Sequence, residues 1–548
     1  MRALAVTILA LGALLAVAPA RAVSKASRPA AAPLIPRELD SLAREPHALV
    51  QLTRPVDARA ASLLRAAGGS RISERLAIWR VPSRAAQRLV PALALAGSLE
   101  EVQPDRALAA ADHLTAGDPL LPREWWLGRV GADRVEPPGP GVPVTVIDSG
   151  LDLSHPEFSA RPDTGALNAQ TFAGRTEFHG TAVSSVVGAP ANGVGIVGVY
   201  PRATLRSFDV SSDGGLRASE VIAGIDAAAA MGRGVVNISL GGTFRNPLEE
   251  EAVLDAFDRG LVVVSSVGNE RENGSPASFP AGLPHVVTVA ATDLEDRASA
   301  FSTQARAVDL AAPGEDIPVA VPSTAAAFGY VSVDGTSFSA PIVAGAAAWI
   351  WTVRPELDKT QLVELLRRTA RDLGAPGRDL DTGFGLLDLP AALTAPAPAS
   401  DPLEPNDDVV QVSAGGLFRT AKRALTAPGR GHASIAARLD SSEDPEDVYR
   451  AWLPPGRRLV ATVRASRDAD LQVWDSGTVT VHARGQSRRG SLLGQSAVRG
   501  SGRETVEVTN RTRAGRAVYV DVFLPASASL VDTGYTLTLT TAAPRARR

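Results

Sequence analysis

From Val130 to Ala392 short apolar runs alternate with alanine-rich helical stretches, and no other feature of the chain restricts its fold as tightly. The apolar runs are Val142–Ile147, Thr204–Val210, Val235–Ser239, Leu261–Ser266 and Val286–Ala290. Parallel strands need a crossover of helical length between them, and helices on both faces bury the strands between. The alternation therefore predicts an α/β segment, a doubly wound and mostly parallel sheet.

The flanks follow other rules. Arg2 precedes an apolar run, Ala3–Ala18, then Pro19 and the small-residue site Ala20-Arg21-Ala22. That run is shorter than the ~20 residues of a membrane span. Residues 1–22 are expected to be a secretory signal cut after Ala22, giving a secreted product without a membrane anchor. Residues 23–115 comprise a leader and a small α+β unit. Its expected order is strand Ala48–Leu52, helix Ala60–Ala67, strand Leu76–Val81, helix Arg84–Ala96 and a strand at Leu99–Val102. After the catalytic segment, 116–395, a proline-rich linker (396–405) leads to residues 406–548. Helical periodicity disappears there. Short alternating segments at Leu459–Val463, Leu471–Trp474, Glu504–Val508 and Ala517–Val522 predict an antiparallel β-sandwich.

Composition removes several function classes. The absence of cysteine excludes a disulfide scaffold, a thiolate zinc site, an iron–sulfur cluster and a cysteine nucleophile. A formal net charge of −3 gives no electrostatic reason to expect nucleic acid.

Three motifs carry the chemistry: VTVIDSG (144–150), HGTAVSSVVG (179–188) and GTSFSAPIVAGAAA (335–348). Singly, each has a plain structural meaning: a turn carboxylate at Asp148, a helix-entry histidine at His179, an N-cap serine at Ser337. Together they put Asp, His and Ser at element junctions of one doubly wound segment, where ligands bind beyond the carboxyl ends of the strands. A hydroxyl becomes a nucleophile when a base takes its proton, and imidazole suits that task near neutral pH. A carboxylate holds the imidazole tautomer, and the amides at a helix N-terminus favour a developing oxyanion. A fourth motif, VVVSSVGNE (262–270), offers the Asn269 amide as a further donor.

With these motifs the chain resembles the subtilisin-like serine proteases, the subtilases, over about half of its length. DSG, HGT, SLGG, GN and GTS-x-x-AP occur in that family's order. The resemblance implies that Asp148 orients His179, that His179 is general base and acid, and that Ser337 attacks the scissile carbonyl. Asn269 and the Ser337 amide would bind the oxyanion. The stretch Ser239, Leu240, Gly241, Gly242 would pair with the substrate backbone. Two departures stand out: Ala182 replaces a second histidine after HGT, and Phe338 replaces the methionine common after the nucleophile. Met231 is then the sole methionine once the signal is gone, which predicts peroxide tolerance.

The same resemblance implies structural calcium, held by Glu157, the Asn192 side chain and the carbonyls of Val194 and Ile196, with no organic cofactor. It also implies that the 48–105 unit is an inhibitory pro-domain released between Ala107 and Asp118. Residues 404–407 (EPND), Asp447, Tyr449 and Tyr535 resemble the bacterial pre-peptidase C-terminal domain. The expected product is a monomeric, self-processing zymogen of a serine endopeptidase acting on proteins or peptides, with apolar or aromatic residues favoured before the scissile bond. The competing expectation is a catalytically silent scaffold whose sandwich binds polymers.

Overall fold

The computed structural model describes residues 42, 46–105, 117–170, 178–211, 216–326, 328–482, 491–500, 502–526 and 529–544. The expected signal, 1–22, and residues 107–116 of the expected release stretch lie outside the described residues. Two compact units, Met1–Ala110 and Ala111–Arg548, divide the chain.

The first unit is an antiparallel sheet of order β2-β3-β1-β4, made of β1 (His47–Leu52), β2 (Ser70–Ser73), β3 (Ile78–Pro82) and β4 (Leu99–Pro104). It carries two helices, α1 (Ala58–Ala66) and α2 (Ser83–Leu95). In β1 every second residue points inward, so Ala48, Val50 and Leu52 meet Leu64, Trp79, Val81 and Val90 in one core. Asp57 caps α1 by accepting from the Arg59 amide. Strand β2, absent from the sequence expectation, is a short and mostly exposed edge, so no apolar run announces it.

The second unit contains the expected parallel sheet. Its strands are β5 (Val144–Asp148), β6 (Thr164–Ala166), β7 (Leu205–Asp209), β8 (Gly234–Ile238), β9 (Leu261–Ser266), β10 (Val286–Thr292) and β11 (Val308–Pro313). The order is β11-β10-β9-β8-β5-β7-β6, parallel throughout. Every residue of β5, β8, β9, β10 and β11 is buried, which explains why these runs are apolar without alternation. Strand order reverses at β5: the chain builds β6 and β7 on one side, then β8 to β11 on the other. That reversal is where an open α/β sheet forms its crevice.

Helix α3 (His179–Gly188) enters this region, as does α6 (Thr336–Val353), while α4 (Ala218–Ala230) and α5 (Pro247–Asp258) pack against the sheet. Helix α6 is long and apolar enough to cross a membrane, yet it lies buried in the domain core with Val146, Val262 and Leu310. Its alanines and glycine permit close approach: a Cβ at Gly345 would stand 2.3 Å from Val199 Cγ1.

The C-terminal segment folds into two four-stranded antiparallel sheets. One has the order β14-β21-β16-β19 and the other β15-β20-β17-β18, from β14 (His432–Asp440), β15 (Glu446–Leu453), β16 (Arg458–Ala465), β17 (Asp470–Asp475), β18 (Leu492–Ser496), β19 (Arg503–Thr509), β20 (Arg516–Phe523) and β21 (Asp532–Ala542). Alternate residues such as Leu459, Ala461, Val463, Val518, Val520 and Val522 fill the core between the sheets. The Tyr449 and Tyr535 hydroxyls meet across it at 2.6 Å, and Tyr535 donates to Asp447 Oδ2 at 2.5 Å.

Candidate active site

Asp148 closes β5 at the point where strand order reverses, and it is 2% exposed. Its Oδ1 accepts from the Ser149 amide at 2.7 Å, which fixes the carboxylate as the chain turns. Ser149 Oγ in turn accepts from the Gly180 amide at 2.9 Å, tying that turn to the first residues of α3. The approach is close enough to demand glycine: a Cβ on Gly180 would lie 2.2 Å from the Gly150 carbonyl oxygen. This contact brings His179 Nδ1 to 2.9 Å and 3.0 Å from the two Asp148 carboxylate oxygens.

Ser337 is the second residue of α6, so its amide belongs to the first turn, where no intrahelical carbonyl is available. Phe338, beside it, places its ring 5.7 Å from the His179 imidazole, centroid to centroid. The two helix N-termini therefore converge. Ser337 Oγ donates to the Ser239 carbonyl at 3.2 Å, and Ser239 Oγ donates to the Ser337 carbonyl at 2.8 Å. Asn237 Nδ2 donates to Ser239 Oγ at 2.9 Å, so a buried chain from β8 holds the serine turn.

Asn269 lies just beyond β9. Its Oδ1 accepts from the Thr336 amide at 3.0 Å and from the Thr336 hydroxyl at 2.9 Å, which commits the carbonyl end of the side chain. Nδ2 is thereby turned toward the helix entrance, where a Cβ at Gly335 would come within 3.4 Å of it. Gly335 has φ +149°, an ordinary value for glycine alone. Thr336 was not singled out in the sequence. Its place between a glycine and the nucleophile was visible, but its bond to a residue 67 positions away was not.

The stretch Ser239–Gly242 continues past β8. Leu240 is half-buried and the backbone at Gly241 and Gly242 is exposed. Gly242 exchanges hydrogen bonds with Phe279 at 2.9 Å and 2.8 Å. A side chain at Gly241 would strike the Phe279 carbonyl oxygen at 2.7 Å and Ser278 Oγ at 3.0 Å.

The loop expected to hold calcium shows a mixed donor set. The amides of Asn192, Gly193 and Val194 converge on Asp118 Oδ1 at 3.1–3.2 Å, and Asn192 Oδ1 accepts from the Val194 amide at 2.8 Å. Glu157 Oε1 takes the Ile196 amide at 3.0 Å and the Tyr330 hydroxyl at 2.9 Å. Glu124 Oε2 takes the Val197 amide. The second oxygens of Asp118, Glu124 and Glu157 are buried without a donor. Burial pushes Glu124 up to about 9 and Glu157 to about 7, with repulsion among the three carboxylates adding to the rise. Three unpartnered carboxylate oxygens fit a hard divalent cation. Asp118 and Glu124 were not anticipated as donors.

Residues 139–385 match the sequence profile of the Subtilase family (Peptidase S8). Subtilisin DY of Bacillus licheniformis is 33% identical over 269 residues, which is 48% of this chain and 96% of that protein. Subtilisin E of Bacillus subtilis (strain 168) is 34% identical over 258 residues; the match spans 46% of this chain and 66% of the relative's length. Among solved structures, fervidolysin from Fervidobacterium pennivorans, a keratinolytic enzyme related to subtilisin, aligns with 85% of each chain at 23% identity and a TM-score of 0.48.

Proposed function

The chain belongs to the subtilase family, and from that premise we propose that it is a secreted serine endopeptidase, made as a self-processing zymogen. The observation that carries this reading is the pairing of His179 Nδ1 with both Asp148 oxygens beside the entrance of the helix that bears Ser337. With its Nδ1 hydrogen held by Asp148, the imidazole keeps Nε2 free of a proton and able to act as a base. His179 takes the Ser337 proton as Oγ attacks the scissile carbonyl carbon. The carbonyl oxygen gains negative charge and is received by Asn269 Nδ2 and the Ser337 amide. As the C–N bond breaks, His179 returns the proton to the leaving amine. Water repeats the sequence on the acyl-enzyme, with His179 again as base, and frees the acid.

The exposed backbone of Leu240–Gly242 supports pairing with an extended substrate. Proteins and peptides are the expected substrates and the enzyme is expected to act as a monomer. The independent compactness of Met1–Ala110 supports its role as a removable, inhibitory pro-domain. The carboxylates of Asp118, Glu124 and Glu157, with the Asn192 loop around them, would hold a structural calcium ion.

The test is labelling of the secreted protein by a fluorophosphonate probe. Labelling that Ser337→Ala abolishes is the expected result. An unlabelled, fully processed protein would overturn the reading and favour a silent scaffold. Ser337→Ala is also expected to accumulate with its pro-domain attached in a host lacking other proteases; maturation there would exclude self-cleavage.

A further inference from the structure

The segment that joins the α/β domain to the sandwich runs through a nest of acids. Asp401 and Glu404 are buried, 8% and 5% exposed, and Asp444, on the turn between β14 and β15, is half-buried. Carboxylate oxygens of these three lie within 4.8 Å of one another. The backbone anchors them from both sides. Asp401 takes its amide to Thr360 Oγ1 in helix α7 (Lys359–Thr369) and accepts from the Arg438 amide of β14 at 2.7 Å. Glu404 Oε2 accepts from the Asn406 amide at 3.2 Å and faces His285 Nε2, just before β10, at 3.6 Å.

Neighbouring cations are engaged elsewhere. Arg367 bridges Asp309 and Glu443, Arg378 pairs with Asp440, and Lys422 pairs with Asp258. The Arg438 guanidinium reaches Asp532 and Glu364, and His285 Nε2 also meets Asp407 Oδ2 at 3.3 Å. The remaining oxygens, Asp401 Oδ1, Glu404 Oε1 and Asp444 Oδ1, are buried with no donor. A second, uncharged group is in the same condition. Asn406 is fully buried, its Nδ2 donates to Asp447 Oδ1 at 2.5 Å, and its Oδ1 has no partner. Buried acceptors left without a donor are costly, and clustered anions more so. Oxygens spaced by up to 4.8 Å suit one ion that binds each at about 2.4 Å.

We propose that this junction binds a divalent cation of the calcium class through Asp401, Glu404 and Asp444, with the Asn406 amide oxygen beside them, and that the ion fastens the sandwich to the α/β domain. All the donors are hard oxygens, two from the linker carboxylates and one from the sandwich, so binding requires the two domains to be docked. The site is separate from the loop at Asp118 and Glu157 and does not depend on the protease reading.

The test takes the full chain carrying Ser337→Ala, stripped with chelator, and titrates it calorimetrically with calcium. Glu404→Gln is expected to remove one calcium site, in a background with or without Glu157→Gln, so that the two sites are counted separately. Melting temperature should rise on adding calcium, and the rise should shrink in Glu404→Gln and in Asp444→Asn. Trypsin should cut near 396–405 faster in chelator than in calcium. The opposing account is that the carboxyls hold protons. Then Glu404→Gln and Asp444→Asn bind as many ions as their parent and melt no lower in chelator or in calcium, and the proposal is refuted. Asp444, being half-buried, gives the variant best able to fold if Glu404→Gln does not.

Discussion

Thr336→Val isolates the device that aims Asn269. The substitution keeps the side-chain volume and the backbone bond from residue 336 to Asn269 Oδ1 at 3.0 Å, but deletes the hydroxyl bond at 2.9 Å. Loss of the Asn269 donor itself is worth about 2.7–4 kcal/mol, a figure drawn from subtilisin's own oxyanion asparagine and so from a relative of this chain. Removing one of two bonds that orient the donor should forfeit a single hydrogen bond's worth, about 0.5–1.5 kcal/mol. At 1.36 kcal/mol per decade, kcat should fall roughly 2- to 10-fold with KM nearly unchanged, since the lost interaction forms only in the transition state. The Gly268 amide, which donates to the same hydroxyl at 3.3 Å, loses its acceptor, so some stability is lost as well. Active sites must therefore be counted by fluorophosphonate titration before kcat is computed. The decisive measurement is the double variant. Because Thr336 acts through Asn269, Asn269→Ala/Thr336→Val should match Asn269→Ala in kcat. A full additional loss in the double variant would mean that Thr336 touches the reaction by another route, and the reasoning would be wrong.

Three further outcomes follow from the same geometry. Asp148→Asn should leave the fold intact and lower kcat by about 10⁴, because an amide stabilises the wrong imidazole tautomer; a loss below tenfold would refute the assignment. Brief exposure to dilute peroxide should leave activity unchanged, because the residue after Ser337 is Phe338 and the nearest oxidisable sulfur is on Met231, far along the chain; rapid inactivation would count against this. Stability in chelator should fall as pH rises from about 4.5 to 7. The buried Glu157 carboxyl holds its proton up to about 7 while the unfolded chain loses it near 4.5, so the folded state binds more protons in that window. Calcium should flatten this slope in thermal melts, and a stability that climbs with pH in chelator would contradict it.

The sheet was legible because burial on both faces leaves runs of apolar residues, and the expected strand Leu261–Ser266 has the same bounds as β9. The ends of those runs also carried Asp148, His179 and Ser337, since chemistry in such a sheet sits where strands stop and helices start. What escaped the sequence is made of side-chain bonds between distant positions. Thr336 meets Asn269, Asp118 collects the amides of 192–194, and His285 meets Glu404, each across dozens of residues. Such bonds leave no periodicity and depend on the completed topology. The C-terminal strands were partly visible by alternation, but their division between two sheets follows from non-local pairing, as in β14 with β21.

Helix α6 supports the sheet from inside, and it also carries the nucleophile. Amides in so enclosed an element exchange with solvent only when the whole domain opens. The serine therefore cannot drift while the domain stays folded. Heat inactivation and cooperative melting should then trace one curve, and the enzyme's own turnover becomes a gauge of how many molecules remain native.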